Sequence, residues 1–425
     1  MELLFAGDSP TLYLGRCLNR RHAGAQCTRC VESCPVQAIA LYGVTPHLND
    51  DVCVRCGVCT TVCPTDSFVA VTDYEKALRA TVANLPIAPT ALICSAHPTP
   101  ATTAANVTAV VQHRRCLAAL TVADLLELSA GGRRPLWLDD SPCAACPIGA
   151  AQATLACKVD SARTLLQRSG LSPSLLLHSE RPPTADARMR RAPLYDGAQP
   201  AISRRALLTR LRPQQAAGQE EPVIDDLLQR GAPVSARLPQ QTPASRRRLL
   251  TVLAALRATD TGELATAHTP FGAVQVDADR CSSCGLCARF CPTGALQFTQ
   301  VDARFALAFQ PAACIACNIC VVACPEAAVS LSDTVSLAAL LTDEVTPLVT
   351  GDLVSCVGCG ALTARHADDP APRCHVCRQG AGVVTALRDE AGLMADLLAR
   401  APRVAEADLI GRRVENDYYD SGDML

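Results

Sequence analysis

The chain has 425 residues, enough for several domains, with a formal net charge of -2 and 25 cysteines. So even a balance of charge supplies no basic field for nucleic acid, and a chain this long does not suit a small secreted disulfide scaffold. Met1-Glu2-Leu3-Leu4-Phe5 has no basic segment ahead of an apolar one, and no apolar run reaches the roughly 18 residues of a membrane span. The expectation is a soluble, cytoplasmic protein whose thiols are reduced and free to bind metal.

In chain order, residues 1–75 carry Cys27, Cys30 and Cys34 with Pro35, then Cys53, Cys56, Cys59 and Cys63 with Pro64. The second run reads C-x2-C-x2-C-x3-C-P in full, and the first lacks only its leading cysteine. Thiolates at this spacing wrap three corners of an iron-sulfur cube from one tight loop, while the cysteine before the proline points away to a neighbouring cube. Gly57 follows the second cysteine of its run, where a side chain would crowd the loop. Between the runs, Val36 to Leu41 and then His47-Leu48 predict a helical turn, a strand, a hairpin and a second strand.

Residues 76–178 change character. Strand candidates Ala91-Leu92-Ile93, Val107 to Val111, Leu136-Trp137-Leu138 and Leu175-Leu176-Leu177 alternate with helix candidates near 118–129 and 148–168. That order predicts a small α/β domain with a largely parallel sheet. Cys94 follows the first strand, Cys116 the second, and Cys143 with Cys146 the third, so the four thiols are expected to gather at the carboxyl edge of the strands. Cys143 to Pro147 also opens a helix, whose N-terminus stabilises thiolate. A metal on Cys94, Cys116, Cys143 and Cys146 is expected, an iron-sulfur cluster in preference to zinc, and His97 could replace one thiol. The other reading leaves them as ordinary buried thiols. Cys157 has no ligand spacing and is expected to pack inside its helix.

Residues 179–262 are rich in Pro, Arg, Gln and Ala and contain no cysteine. They predict a mobile connector with short amphipathic helices at Leu207, Leu208, Leu211 and at Leu249, Leu250, Leu253, Leu256, packed on the protein's own domains or docked on a partner. Ser203-Arg204-Arg205-Ala206-Leu207-Leu208 imitates a twin-arginine export signal, but its place in mid-chain makes it the basic start of a helix.

Residues 263–335 repeat the first segment with two full runs: Cys281, Cys284, Cys287, Cys291 with Pro292, and Cys314, Cys317, Cys320, Cys324 with Pro325. Gly285 sits where Gly57 does. In residues 336–425, Cys356, Cys359, Cys374 and Cys377 make two C-x2-C knuckles, which place four sulfurs around one ion. Zinc is favoured over a rubredoxin-like iron, since the intervening Ala361 to Arg373 lacks aromatic shielding. An amphipathic helix is expected over Leu387 to Leu398, followed by an acidic tail with Asp417, Asp420 and Asp423.

Both ends of the chain resemble the bacterial two-cluster ferredoxins. The resemblance implies cross-ligation: one 4Fe-4S cluster on Cys281, Cys284, Cys287 and Cys324, and another on Cys314, Cys317, Cys320 and Cys291. At the N-terminal end it implies one set of Cys53, Cys56, Cys59 and Cys34, and a second of Cys27, Cys30 and Cys63 that wants a fourth ligand. The regular position holds Gly24; Cys17 is the favoured ligand, with His22 or a three-iron cluster as the alternatives. The middle region is loosely similar to the delta-type iron-sulfur subunits of hydrogenases and heterodisulfide reductases. The fold class expected is therefore α+β multidomain: two ferredoxin-like modules flanking a small α/β domain, with a zinc-ribbon-like module at the end.

No glycine-rich dinucleotide loop, nucleophile-base arrangement or flavin motif stands out. The expected function is a subunit passing single electrons through at least four 4Fe-4S clusters, between a redox-enzyme catalytic subunit and a second electron carrier. Two alternatives are thiol, disulfide or sulfur chemistry at the middle cysteines, and a redox-sensing or maturation protein.

Overall fold

The computed structural model describes residues 4–5, 7–98, 102–103, 107–180, 190–199, 238–256, 262–366 and 369–379. The helix expected around Leu207, the 203–208 motif, the 387–398 helix and the acidic tail lie outside them. Among the described residues no helix is long and apolar enough to cross a membrane.

The two ends of the chain build the same small frame. An inner hairpin lies between the two cysteine runs: Ile39–Tyr42 against Thr45–Leu48 at one end, and Leu296–Val301 against Arg304–Phe309 at the other. An outer strand before the first run pairs with one after the second, Thr11–Leu12 with Phe68–Val69 and Ala273–Val276 with Val329–Ser332. Period-two alternation turns Ile39 and Phe68 at one end, and Leu296, Phe305, Leu307 and Phe309 at the other, inward among the cysteines. Strand pairs this short are marginal alone in water, so these frames depend on what the loops enclose.

Between them lies a five-stranded sheet. Its central strand β1 (Thr90–Cys94) is flanked by β2 (Ala109–His113) and β3 (Leu136–Leu138), with β4 (Leu175–Leu177) beyond β3 and β5 (Leu194–Asp196) beyond β2. Every pairing is parallel. Runs such as Ala91-Leu92-Ile93 are buried throughout, as a parallel sheet covered on both faces requires. Its helices are α1 (Tyr74–Ala83), α2 (Val122–Leu128) and α3 (Ala151–Arg168). Asp73 caps α1 by accepting from the Lys76 N–H, and Thr121 with Asp124 forms a capping box on α2. The strand order reverses between β1 and β3, which opens a crevice at their carboxyl ends.

Helix α4 (Ala244–Leu256) ties the parts together. Leu249 and Leu253 are buried, so this stretch packs on the protein's own domains. Ser245 donates to Asp66 of the first frame, Arg246 donates to the carbonyls of Pro311 and Ala312 in the second, and Arg248 pairs with Asp124 and Glu127 on α2. Past residue 336 the chain continues the sheet of the second frame: Thr346–Ser355 pairs with Arg304–Phe309, and Leu362–Ala364 pairs back on it.

Candidate metal centres

Four cysteine loops share one backbone device. The residue before the second cysteine of each run is left-handed, at Gln26, Arg55, Ser283 and Ala316, and so is the second residue after each proline, at Gln37, Asp66, Gly294 and Ala327. The turn after the proline aims a backbone N–H back at the preceding sulfur. Ala38 donates to Cys34 Sγ (3.2 Å), Ser67 to Cys63 Sγ (3.3 Å) and Ala328 to Cys324 Sγ (3.3 Å). Gly57 and Gly285 adopt φ of 82° and 69°, a region costly for other residues.

The loops gather cysteines from different runs. Cys281, Cys284, Cys287 and Cys324 line one pocket, and Cys291, Cys314, Cys317 and Cys320 line another. A third is lined by Cys27, Cys30, Cys63 and Cys17. Cys17 sits between two short helical turns, and Asn19 clamps its segment to Cys27, accepting from the Cys27 N–H (2.7 Å) and donating to the Cys27 carbonyl (3.0 Å). His22 faces elsewhere. Its Nδ1 accepts from the Gly24 N–H (3.1 Å), and its ring meets Phe290 of the second frame edge-on at 4.8 Å.

Burial raises the Cys56 thiol to about 11, and Cys34 and Cys53 add to the rise; Cys59 is raised by burial and by Cys56, Cys53 and Cys34. Burial likewise brings Cys30, Cys287 and Cys317 to about 12. Thiols so desolvated stay protonated unless a cation compensates them. Four-sulfur pockets of this kind suit an iron-sulfur cluster.

The middle cysteines act on one another electrostatically. Burial raises Cys116 to about 12, with Cys56, Cys94 and Cys143 adding to it; burial raises Cys143 to about 12, with Asp140, Cys94 and Cys146 adding; Cys94 is raised by burial and by Cys146. The four are drawn from the ends of β1, β2 and β3, at the crevice. His97 Nε2 lies 3.1 Å from Asp139 Oδ2, and although burial opposes it, the bonds from His97 and Ser141 hold that carboxyl at about 2. Cys157 differs from expectation: it is exposed on α3, beside a cleft between the frames, because the buried stripe of α3 runs through Leu155, Val159 and Ala162.

Among the described residues, Cys356, Cys359, Cys374 and Cys377 are the group whose sulfurs all lie within 4.8 Å of one another, with Cys359 and Cys374 3.6 Å apart. Sulfurs about 2.3 Å from one tetrahedral ion stand about 3.8 Å apart, so this set suits a single ion, while the wider sets suit a cluster. Burial opposes ionisation of Cys356, but the N–H groups of Cys374, Gly358 and Cys359 outweigh it and bring the thiol to about 6.

Neighbouring loops touch. Arg21, buried, donates to the carbonyls of Phe290 (2.7 Å) and Cys291 (3.0 Å) in the second frame and to Pro239 (2.7 Å), and Arg29 donates to Ala316 (3.1 Å). Gly57 lies against Arg115 and Ala119, which flank Cys116: a Cβ there would stand 2.9 Å from Arg115 Cδ. Gln379, next to the second knuckle, donates to Pro325 (2.9 Å), and Ser282 and Cys284 share a cavity with Cys359 and Cys374. In the sequence Arg20, Arg21 and His22 stand just ahead of the first run. The role of Arg21 as a clamp on the other frame is not legible there, because nothing local marks a contact across 270 residues.

Residues 25–67 match the family model of a 4Fe-4S dicluster domain, and residues 274–297 that of a 4Fe-4S binding domain. An uncharacterized ferredoxin of Methanocaldococcus jannaschii is 40% identical over 55 residues, 13% of this chain and 31% of that protein. A second uncharacterized ferredoxin of the same organism is 46% identical over 44 residues, 10% of this chain and 69% of its own length. The chain thus spans about a third of the first relative and about two thirds of the second. No solved structure matches.

Proposed function

This chain belongs to the ferredoxins, and on that premise we propose that it is an electron-transfer subunit whose frames, central sheet and knuckles hold one unbroken series of metal sites. In this reading 4Fe-4S clusters occupy the sets Cys34, Cys53, Cys56, Cys59; Cys17, Cys27, Cys30, Cys63; Cys291, Cys314, Cys317, Cys320; and Cys281, Cys284, Cys287, Cys324. A fifth iron-sulfur cluster belongs to Cys94, Cys116, Cys143 and Cys146, and zinc to the knuckles, where it staples a segment too small to hold by its apolar contacts. A 4Fe-4S cluster, when bound, takes up and releases a single electron.

The observation that carries this reading is the direct bonding of cysteine loops across the two frames by Arg21 and Arg29. A chain that merely stored clusters would have no use for such a junction. Within each frame the sets are also neighbours: Cys59 feels the charge of Cys30, and Cys320 that of Cys287. The protein's own part is to hold the sets in sequence, exclude water from them, and direct N–H groups at sulfurs, which stabilises the more negative state. A redox enzyme and a second carrier would meet the series at its two ends, near Cys143 and near the knuckles.

Iron and sulfide analysis of anaerobically isolated protein tests this. About sixteen iron atoms are expected from the two frames, and more from the middle set. Half that content after full reconstitution would overturn the reading.

A further inference from the structure

Lys158 is one of only two lysines in the chain, and α3 carries it to the junction between the N-terminal frame and the central sheet. Its Nζ donates to Thr61 Oγ1, between Cys59 and Cys63, and to the Ala118 carbonyl (2.6 Å), two residues past Cys116. Both acceptors are neutral. Among the described residues no carboxylate makes a salt bridge with it, and the side chain is half-buried beside the cleft between the frames.

The nearby acids are already matched. Asp124 and Glu127 are paired with Arg79 and Arg248, and Glu75 with Arg115. Of the surrounding groups Asp124 acts on Lys158 most strongly, followed by the sulfurs of Cys116 and Cys56, which belong to two different sets, and then Glu75. Even half-buried, a charge without a paired counter-charge loses part of its hydration, so the position makes sense when strongly anionic groups lie on either side.

We propose that Lys158 is a counter-charge shared by the set of Cys34, Cys53, Cys56, Cys59 and the set of Cys94, Cys116, Cys143, Cys146, holding both at a higher potential than they would otherwise have. The inference rests on the reading that the middle thiols bind an iron-sulfur cluster. One added electron makes either set more negative by one unit, with no bond formed or broken, and a fixed ammonium beside it favours that form. Lysine suits the task as a compact point charge on a stem that can thread between two loops. It is a positioning residue for charge, distinct from the ligands.

The test is a redox titration of the full-length, cluster-loaded protein, followed by low-temperature electron paramagnetic resonance, for Lys158→Met, Lys158→Gln and Lys158→Arg. The Met and Gln variants should each lower the reduction equilibrium of the two adjacent centres about tenfold, a fall of about 59 mV for a one-electron couple. The Arg variant should keep both near the starting value, and the two C-terminal centres should not move in any variant. Unchanged potentials in both neutral variants, an equal fall at every centre, or a fall at one adjacent centre alone would each overturn the proposal. A middle centre that is present but indifferent to Lys158 defeats this inference only. Loss of the sharing because Cys116→Ser removes no iron defeats the underlying reading as well.

Discussion

In the C-terminal frame Cys281 opens its run and lines a cavity with Cys284, Cys287 and Cys324. In the N-terminal frame the corresponding position is Gly24, and Cys17, from outside the run, lines the cavity with Cys27, Cys30 and Cys63. The two loops are otherwise alike: Gln26 and Ser283 are both left-handed before the next cysteine, and the hairpins and outer strands pair in the same way. The difference lies in which segment brings the fourth sulfur to the pocket, and Asn19 holds the Cys17 segment there by bonding Cys27.

The largest way to break the comparison is at the crossing cysteines. Cys291→Ser should abolish or convert the centre on Cys314, Cys317 and Cys320, with a loss of up to about four iron atoms, and leave the centre on Cys281, Cys284 and Cys287. Iron analysis with electron paramagnetic resonance checks this; a response confined to the latter centre would contradict the cavities. Cys17→Ser should act more mildly, costing one N-terminal centre about one iron while both C-terminal centres remain. Adding Gly24→Cys to that variant should not restore the iron, because a Cβ at Gly24 meets the His22 ring at 3.1 Å and leans toward Val322 of the other frame.

A smaller effect is expected at the junction of the frames. Arg21→Gln leaves three carbonyls, those of Phe290, Cys291 and Pro239, short of a donor. It should lower stability by about 3 kcal/mol in anaerobic denaturant unfolding, with the iron content unchanged. Smallest is Gly57→Ala. A left-handed φ of 82° and a Cβ 2.9 Å from Arg115 Cδ should cost about 1–2 kcal/mol, read as a lower midpoint in the same unfolding measurement.

Much of the candidate site was legible because its parts are local. The three cysteines of a run, the proline and Gly57 or Gly285 lie within one loop, so spacing alone reports their geometry. The strands at Ala91-Leu92-Ile93, Leu136-Trp137-Leu138 and Leu175-Leu176-Leu177 were equally plain, since a doubly covered strand is apolar without interruption. Strand β5 went unseen, being three residues long and ending in a charge, Leu194-Tyr195-Asp196. Cys157 was assigned to packing on the strength of its helix, but which face of α3 is buried depends on what α3 packs against.

By itself, the sequence determined the kind of chemistry: soft thiolate ligands in tight loops, repeated at both ends, with the hairpins that carry them. Those follow from steric rules acting over a few residues. Tertiary structure alone decided that α3 turns Cys157 outward, that Arg21 joins the frames, and that Lys158 reaches both Thr61 and Ala118. These are contacts between distant parts of the chain, and their partners are chosen by the burial of whole faces and by strand order, which no local spacing encodes.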